Sequence, residues 1–469
     1  MSRITACVVF AFNVIFVCNP LKADSLNTDL QNTDSLNTDS LDVLIEQAIH
    51  QDPYLKQLDH LHNAANARSV SARQLQDPKL RVNYANLPLD TFDTNQEPFT
   101  QFQVGISQQF PGGKTRSYRA KIQRLYGDQY PLMAENRTAK IRRDITQLWT
   151  RLLTDHLALS LAKNDRTLFE QLIDTVHSGY ASGIGGVDQQ EFLAAELQLL
   201  RFDNRIIGLA AEKSKTAALL SEYVSVEIIR DLLQRHSSIM LKEETAREEK
   251  ITREENLRQN VSSYLPEIET SFISAFDLSE AELVQAIKRH PVLAVMQKQY
   301  DVKSQEVNLQ KQKYKPAWTL NAQYGYREND PVGNSRADFI SLGVEFDLPV
   351  FTKKRQDQSV IDAHENASAA RLKIDQYVLS SMSEFYAAMA QYQKIIEKEQ
   401  LYQQQLLPQL RKISESAESV YSAGESSLTA AITAKIEELN TQIEYINIQQ
   451  QKYHLMAELN YLTVQAAEH

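Results

Sequence analysis

Apolar and polar residues alternate with a period of two in four segments of the chain, each about ten residues long. The apolar members are Leu80, Val82 and Tyr84; Phe102, Val104 and Ile106; Trp318, Leu320, Ala322, Tyr324 and Tyr326; and Leu342, Val344, Phe346 and Leu348. This period places all apolar side chains on one face of an extended strand. The sequence therefore predicts four strands, at about 79–86, 101–110, 317–327 and 338–348.

Other stretches carry apolar residues at steps of three and four, which is the spacing of a helical stripe. The stripes are Ile141, Ile145, Leu148 and Leu152, and Leu428, Ile432, Ile436, Leu439, Ile443 and Ile446. Such stripes with polar backs predict coiled-coil cores between long helices. From about Lys114 to Gly183 a helix would extend for ~100 Å if Pro131 only kinks it. That length suits a tunnel wall or a rod.

The chain contains an internal duplication, seen as matches at a constant shift of 238 residues. Ala48-Ile49, Pro53, Leu55, Pro78, Gly105 and Pro111 match Ala286-Ile287, Pro291, Leu293, Pro316, Gly343 and Pro349. Further along, Tyr180-Ala-Ser-Gly183 matches Tyr421-Ser-Ala-Gly424 at a shift of 241. Each copy therefore has the same order: a helix, a strand pair, a long helix, a glycine turn and a returning helix.

Four prolines lie at the predicted changes between helix and strand. Pro78 and Pro316 lie where a helix becomes a strand, and Pro111 and Pro349 lie where a strand becomes a helix. Proline ends helical hydrogen bonding and restricts the residue before it, so it suits a sharp change of backbone conformation.

The N-terminus has the pattern of an export signal. Arg3 precedes an uncharged apolar stretch from Ile4 to Val17, and Ala23 offers a small residue for cleavage, so residues 1–23 are predicted to be a signal peptide. Acylation at Cys18 is the alternative. Both cysteines of the chain, Cys7 and Cys18, precede Ala23, so the mature protein would have no disulfide and no thiol site.

The mature chain divides into four predicted regions. Residues 24–42 repeat Ser-Leu-Asn-Thr-Asp and are predicted to be a low-complexity tether. Residues 43–237 form the first repeat and residues 279–469 the second. Residues 238–278 form a charged equatorial linker, in which Lys242 to Arg258 is predicted to be a solvated helix.

Other chemical signals are weak. The net charge of -10 gives no support for nucleic-acid binding. Gly113-Lys114-Thr115 resembles the end of a phosphate-binding loop, but Gln108 stands where that motif needs glycine. His60 and His62 point to different sides of a helix, and no metal-binding spacing occurs. We therefore expect no catalytic site, no cofactor and no bound metal.

Strands of about ten residues with one apolar face have the length and pattern of a transmembrane barrel wall. Four strands cannot close a barrel, so three chains contributing twelve strands are the predicted assembly. Gln103, Glu345 and Asp347 would then face the lumen, because their neighbours are apolar and need the lipid. Two hairpins of a soluble sheet are the alternative interpretation.

This order of signal, strand pair and long helical hairpin, repeated once, resembles the TolC family of outer-membrane factors. Asp77-Pro78, Leu87-Pro88, the segment from Gly105 to Pro111, and Gly113-Lys114 are similar to its heavy-metal branch of cobalt–zinc–cadmium and copper–silver types. The resemblance implies an α+β membrane protein: a homotrimer with an outer-membrane β-barrel and an α-helical barrel in the periplasm. It also implies a periplasmic adaptor and an inner-membrane pump of the proton-driven RND type as partners.

In that family the helix-hairpin tips carry a Tyr-x-x-Gly turn, form the periplasmic aperture and meet the adaptor. The matching positions are Tyr180 and Gly183, and Tyr421 and Gly424. Glycine suits a reversal between antiparallel helices in any case. Some members carry paired aspartates after the second glycine. This chain departs from that pattern: it reads Glu425-Ser-Ser there, and only Asp188 follows the first turn at a comparable distance, so the resemblance does not extend to an acidic gate ring.

The predicted function is a passive outer-membrane duct of a tripartite efflux system, exporting heavy-metal cations, and not an enzyme. Export of drugs or of a polypeptide, as in type I secretion, is the alternative within the channel class. A periplasmic coiled-coil structural or adaptor protein, and a secreted enzyme with a helical accessory region, are the alternatives from other classes.

Overall fold

The computed structural model describes residues 39–182, 189–246, 265–268, 270, 272, 279–423 and 427–466. Its elements occur in two copies of one order. The first copy comprises α1 (Asp39–Gln51), α2 (Pro53–Arg73), β1 (Lys79–Ala85), β2 (Gln101–Phe110), α3 (Thr115–Gly127), α4 (Gln129–Ser182) and α5 (Gln189–Leu220), and α6 (Val226–Ala246) follows. The second comprises α7 (Glu280–Lys288), α8 (Pro291–Lys311), β3 (Ala317–Tyr326), β4 (Phe339–Asp347), α9 (Gln356–Leu401), a π-helical turn (Tyr402–Leu406), α10 (Leu407–Ser422) and α11 (Leu428–Leu462).

Equivalent helices begin in the same way in the two copies. Asp52 caps α2 by accepting a hydrogen bond from the backbone N–H of Leu55 at 2.8 Å. At the position 238 residues later, His290 caps α8, and its Nδ1 accepts from the N–H of Val292 at 3.2 Å. A proline follows each cap, where its missing N–H costs nothing. The duplication therefore extends to the local chemistry of helix initiation.

The strands of the described residues form one antiparallel sheet in the order β1-β2-β3-β4. Each copy contributes one hairpin, and β2 pairs with β3 to join the two copies, with Val104 opposite Tyr324. Because β1 and β4 each have one neighbour, both edges of the sheet carry unpaired backbone groups.

The predicted helical stripes lie in the main hydrophobic core. Ile141, Ile145 and Leu152 of α4 are almost fully buried, and Ile432, Leu439, Ile443 and Ile446 of α11 join them in one cluster. The core thus lies between the long helices, separate from the sheet. No helix among the described residues is both long enough and apolar enough to cross a membrane.

The helix predicted from about Lys114 to Gly183 is present as two consecutive helices, α3 and α4, which are separated by Asp128 alone. The helix is interrupted at Asp128, and Pro131 lies in the first turn of α4 instead of kinking a longer helix. Proline is tolerated in a first turn because no intrahelical partner is lost there. The 54 residues of α4 alone extend for about 81 Å, so a wall-like helix is retained.

Two predicted region boundaries fall inside helices. Helix α1 begins at Asp39, so the last four residues of the predicted tether are helical, and Leu41 is only 6% exposed. Leu41 belongs to the main core, and its burial stabilises the first turn of α1. Helix α6 crosses residue 238, and the part of the predicted helix from Lys242 to Arg258 beyond Ala246 lies outside the described residues.

Stability of the helical region should fall in mild acid because of buried histidines. Burial, then the nearby charges of Lys213, His236 and Lys163, lower the pKa of His156 from 6.5 to about 4. Between those two pH values the unfolded chain takes up a proton that the folded chain does not, so the free energy of unfolding decreases as the pH falls. Burial also lowers the pKa values of His290 and His454.

We expect His156→Gln to weaken this acid-induced loss, measured as the difference between urea midpoints at pH 7 and pH 5. The exposed His364 provides the control, since His364→Gln should leave the difference unchanged. Equal effects of the two substitutions would contradict the assignment to His156.

Candidate channel-forming surfaces

One face of the sheet is apolar along all four strands. Residues paired across antiparallel strands share a face, and the register aligns Leu80, Ile106, Ala322 and Leu342 in one row and Val82, Val104, Tyr324 and Ile340 in the next. No other element of the described chain covers this face: Leu342 is 77% exposed and Ile340 is 76% exposed. An uncovered apolar surface of this extent marks contact with a partner or a membrane.

Aromatic residues lie at both ends of the apolar face, and the residues between them are aliphatic except for Tyr324 and Gln108. At the loop end, the Tyr84 and Phe102 ring centroids are 5.2 Å apart, and Tyr326 pairs with Phe102. At the helix end, Phe110 stacks on Trp318 at 4.0 Å, and Phe346 pairs with Trp318.

The two aromatic rows are separated by a distance that suits a membrane. The eight-residue rise from Phe102 to Phe110 corresponds to about 27 Å along the strand. At a tilt of about 40° the height is about 21 Å, close to the apolar band of outer-membrane barrels, which lies between aromatic girdles. This arrangement is not visible in the sequence, because only the strand register aligns aromatic residues from both repeats.

The opposite face of the sheet is polar, and it holds the three residues assigned to the lumen. Gln103 lies in β2, where its Oε1 accepts a hydrogen bond from Asn83 Nδ2 at 3.1 Å. Glu345 and Asp347 lie in β4, opposite Thr319 and Ala317 respectively. The sheet thus has one polar face and one apolar face, with the alternation running through all four strands.

The two edges of the sheet carry opposite charges on the polar face. Lys79 and Arg81 belong to edge strand β1, and Glu345 and Asp347 belong to edge strand β4. Lys79 begins β1 and Asp347 ends β4, so both charged pairs lie toward the helix end. Within one chain these two edges are separated by two strands. The positive edge of one chain and the negative edge of a second chain would have complementary charges.

Two helices expose apolar residues at heptad spacing. Leu193, Leu197, Leu200 and Ile207 of α5 are exposed at steps of four, three and seven. Leu372, Leu379 and Tyr386 of α9 are exposed at steps of seven. A helix that buries one apolar stripe inside its own chain and exposes a second has room for a neighbour on each side. The sequence alone does not show that these stripes face outward, because an exposed apolar stripe has the same spacing as a buried one.

The predicted hairpin tips lie at the ends of long helices. Tyr180 belongs to the last turns of α4, and Tyr421 belongs to α10, where it packs against the main core. Gly183, Asp188, Gly424 and Glu425 lie outside the described residues, so their docking role stays a prediction.

The four transition prolines lie at the changes of backbone conformation. Pro78 and Pro316 immediately precede β1 and β3, Pro111 immediately follows β2, and Pro349 lies two residues beyond β4. After Pro111 the chain turns through Gly112, which is buried. A Cβ at Gly112 would lie 2.3 Å from the carbonyl oxygen of Lys315. A side chain at Gly112 would therefore break this contact between the two repeats of the chain.

The comparisons with known proteins agree on this architecture. The model of the outer membrane efflux protein family matches residues 283–463, within the second copy. The outer membrane channel CmeC of Campylobacter jejuni is 13% identical, with a TM-score of 0.66 over 94% of this chain and 90% of that one. CusC is 13% identical, with a TM-score of 0.68 over 93% and 96%. VceC of Vibrio cholerae, an outer membrane protein, is 14% identical, with a TM-score of 0.65 over 91% and 96%.

The chain has the TolC-like fold of outer-membrane channels. No curated protein matches its sequence.

In the part of the chain that the structure describes, no group of three or more His, Cys, Asp or Glu side chains could hold a metal ion. The structure also presents four kinds of extended surface: an apolar face, a polar face, two strand edges and two helical stripes.

Proposed function

We propose that this chain is the outer-membrane component of a tripartite RND-type efflux system. It acts as a passive homotrimeric duct from the periplasm to the exterior, and it is not an enzyme. The sheet carries this proposal, because its apolar face matches a lipid bilayer while its polar face matches a water-filled lumen. The barrel lies in the outer membrane, and the helices extend into the periplasm toward an adaptor and an inner-membrane pump.

The strand edges support closure by several copies. A sheet in lipid has to pair every backbone N–H and C=O group, so β1 and β4 each need a neighbour there. Pairing β1 of one copy with β4 of the next brings Lys79 and Arg81 near Glu345 and Asp347. Three copies give twelve strands, which is enough to enclose a lumen.

The helical stripes support the same ring. A head-to-tail ring uses two different patches on each subunit, whereas a two-fold dimer uses one patch twice. The exposed stripes on α5 and α9 are two such patches. We therefore place the α5 stripe of one subunit against the α9 stripe of the next, so that the helices close a barrel together with the strands.

We propose that the exported substrates are heavy-metal cations. Support comes from the resemblance around Asp77-Pro78 and from Gly105 to Pro111, together with the net negative charge of the chain. Unchanged metal tolerance of cells lacking the chain, with lost drug tolerance or lost polypeptide secretion, would assign a different cargo to the same duct.

Cysteine labelling in intact cells tests the two faces of the sheet. We expect Gln103→Cys, Glu345→Cys and Asp347→Cys to react with a small water-soluble maleimide, because these side chains face the lumen. Val104→Cys and Val344→Cys are neighbouring controls that should stay unlabelled until detergent is added, because lipid covers them. Equal labelling on both faces would exclude a membrane-embedded wall.

A further inference from the structure

The polar face of the sheet changes in bulk from its middle to its loop end. In the middle, two adjacent rows contain small residues, Gly105 with Ser341 and Ser107 with Gly343. A Cβ at Gly343 would meet no atom within 4 Å, so this part of the face is open. At the loop end, Phe339 of β4 is the one aromatic residue on this face among the strands that the structure describes, and its side chain is 40% exposed.

Arg327 holds the ring of Phe339 in place. Its guanidinium carbon lies 4.1 Å from the ring centre, a cation–π contact. Nε donates a hydrogen bond to the carbonyl oxygen of Ala337 at 2.6 Å, and Nη1 donates to that of Pro98 at 3.0 Å. Pro98 belongs to the β1–β2 loop and Ala337 to the β3–β4 loop. Arg327 is therefore fixed by both hairpins, and the stacked ring is fixed with it.

A third side chain adds bulk to the same end of the polar face. Gln101, the first residue of β2, extends over Gly325 of β3. A Cβ at Gly325 would lie 1.8 Å from the side-chain Oε1 of Gln101, so the amide occupies the space that the glycine leaves. The loop end of the polar face is thus covered by side chains, in contrast to its middle.

The two loops that surround these residues are tied to each other across the repeats. Arg336 Nη1 donates to the carbonyl oxygen of Glu97 at 3.0 Å. Thr94 Oγ1 donates to Glu328 Oε2 at 2.6 Å. We call the two loops the collar, and it comprises residues 86–100 and 327–338. The collar therefore frames Phe339 and Arg327 as one unit built from both hairpins.

We propose that Phe339 and Arg327, framed by the collar, form a constriction at the exterior mouth of the duct that limits the size of molecules entering from outside. Twelve strands about 4.8 Å apart and tilted by about 40° enclose a backbone ring about 24 Å across. Three chains place three Phe339–Arg327 pairs at one level of that ring. This inference rests on the proposed function, since it requires the polar face to line the lumen of a trimer.

The constriction selects by size and leaves the proposed cargo free to leave. The collar contains six acidic and two basic side chains, and the two basic ones are Arg327 and Arg336. Both arginines donate to backbone carbonyls of the β1–β2 loop. A mouth with net negative charge attracts small cations, whereas a bulky molecule meets the aromatic rings.

Labelling of a lumen cysteine in intact cells, with reagents of graded size, tests the constriction. Ser107→Cys places the reporter in the middle of the polar face, in a mature chain predicted to contain no other cysteine. Maleimides carrying polyethylene glycol chains of increasing length define the shortest reagent that this protein excludes. Phe339→Ala should raise the labelling rate by that reagent about tenfold, because pore width sets its entry. Arg327→Ala should also raise the rate, because the ring loses its support.

Phe346→Ala is the matched control, since it removes the same side chain from the same strand on the opposite face. It should leave the labelling rate unchanged. Equal rates for Phe339→Ala and Phe346→Ala would overturn the constriction.

Phe339→Trp provides the test if Phe339→Ala does not reach the outer membrane. It should slow labelling by the longest reagent that the Ser107→Cys protein accepts, and an unchanged rate would overturn the constriction as well. Failure of a small maleimide to label Ser107→Cys at all would instead contradict the proposed function, because the polar face would not line a water-filled lumen.

Discussion

Arginine in place of Ile106 should abolish insertion into the outer membrane. Ile106 lies midway between the two aromatic rows, on the apolar face and in the same row as Leu80 and Leu342. A charged residue at the middle of the bilayer costs about 2–4 kcal/mol in an outer-membrane barrel. Three copies per assembly raise that cost to about 6–12 kcal/mol, which is comparable to the whole stability of a typical domain.

The matched control is Ser107→Arg, one residue further along the same strand and on the polar face. We expect Ser107→Arg to insert like the wild type, because its side chain reaches water in the lumen. Membrane fractionation and resistance to protease added outside the cells measure insertion. If Ile106→Arg inserts as well as Ser107→Arg, the apolar face is not in contact with lipid.

Tryptophan in place of Gly183 or Gly424 should abolish efflux while leaving the trimer intact in the outer membrane. Both glycines stand at the predicted helix-hairpin tips, at equivalent points of the two copies, where a glycine lets another backbone approach closely. We expect cells carrying either variant to be as sensitive to heavy-metal cations as cells lacking the protein. Crosslinking to the adaptor should be lost in parallel.

Ser335→Trp is the control, since Ser335 lies in the exposed β3–β4 connection at the loop end of the sheet. It should retain both metal tolerance and adaptor crosslinking. If the Gly183 and Gly424 variants also retain them, the adaptor docks elsewhere. If those variants lose the trimer as well, the tips serve assembly instead of docking.

The two strand hairpins could be predicted from the sequence, because two independent periodicities agree there. The repeat of 238 residues and the alternation of period two together predicted both hairpins, and each observed strand starts and ends within one residue of its predicted bounds. Local exceptions follow side-chain contacts that periodicity ignores. Phe339 stands on the polar face, where the guanidinium of Arg327 lies 4.1 Å from its ring centre. Gln108 stands on the apolar face, and its Nε2 donates to the carbonyl of Gln76 at 2.9 Å.

The break between α3 and α4 and the exposed apolar stripes of α5 and α9 could not be predicted from the sequence in the same way. Pro131 is compatible with a kink and with a first turn, so the sequence does not place the break at Asp128. The buried Gly127, whose Cβ would lie 3.4 Å from the Cβ of Ala65, shows how closely α3 approaches α2. The stripes of α5 and α9 are apolar like a core, and only the fold shows that their own chain leaves them exposed.

The mass of the purified protein in detergent tests the central claim most directly. In the proposed duct, neighbouring chains cover the unpaired edges of β1 and β4 and the two outward helical stripes, and three chains complete the sheet. Light scattering corrected for bound detergent should therefore give a mass of three mature chains, for protein that leaves the membrane fraction only with detergent. A stable monomer in detergent, or full recovery from the soluble periplasm without detergent, would contradict the account.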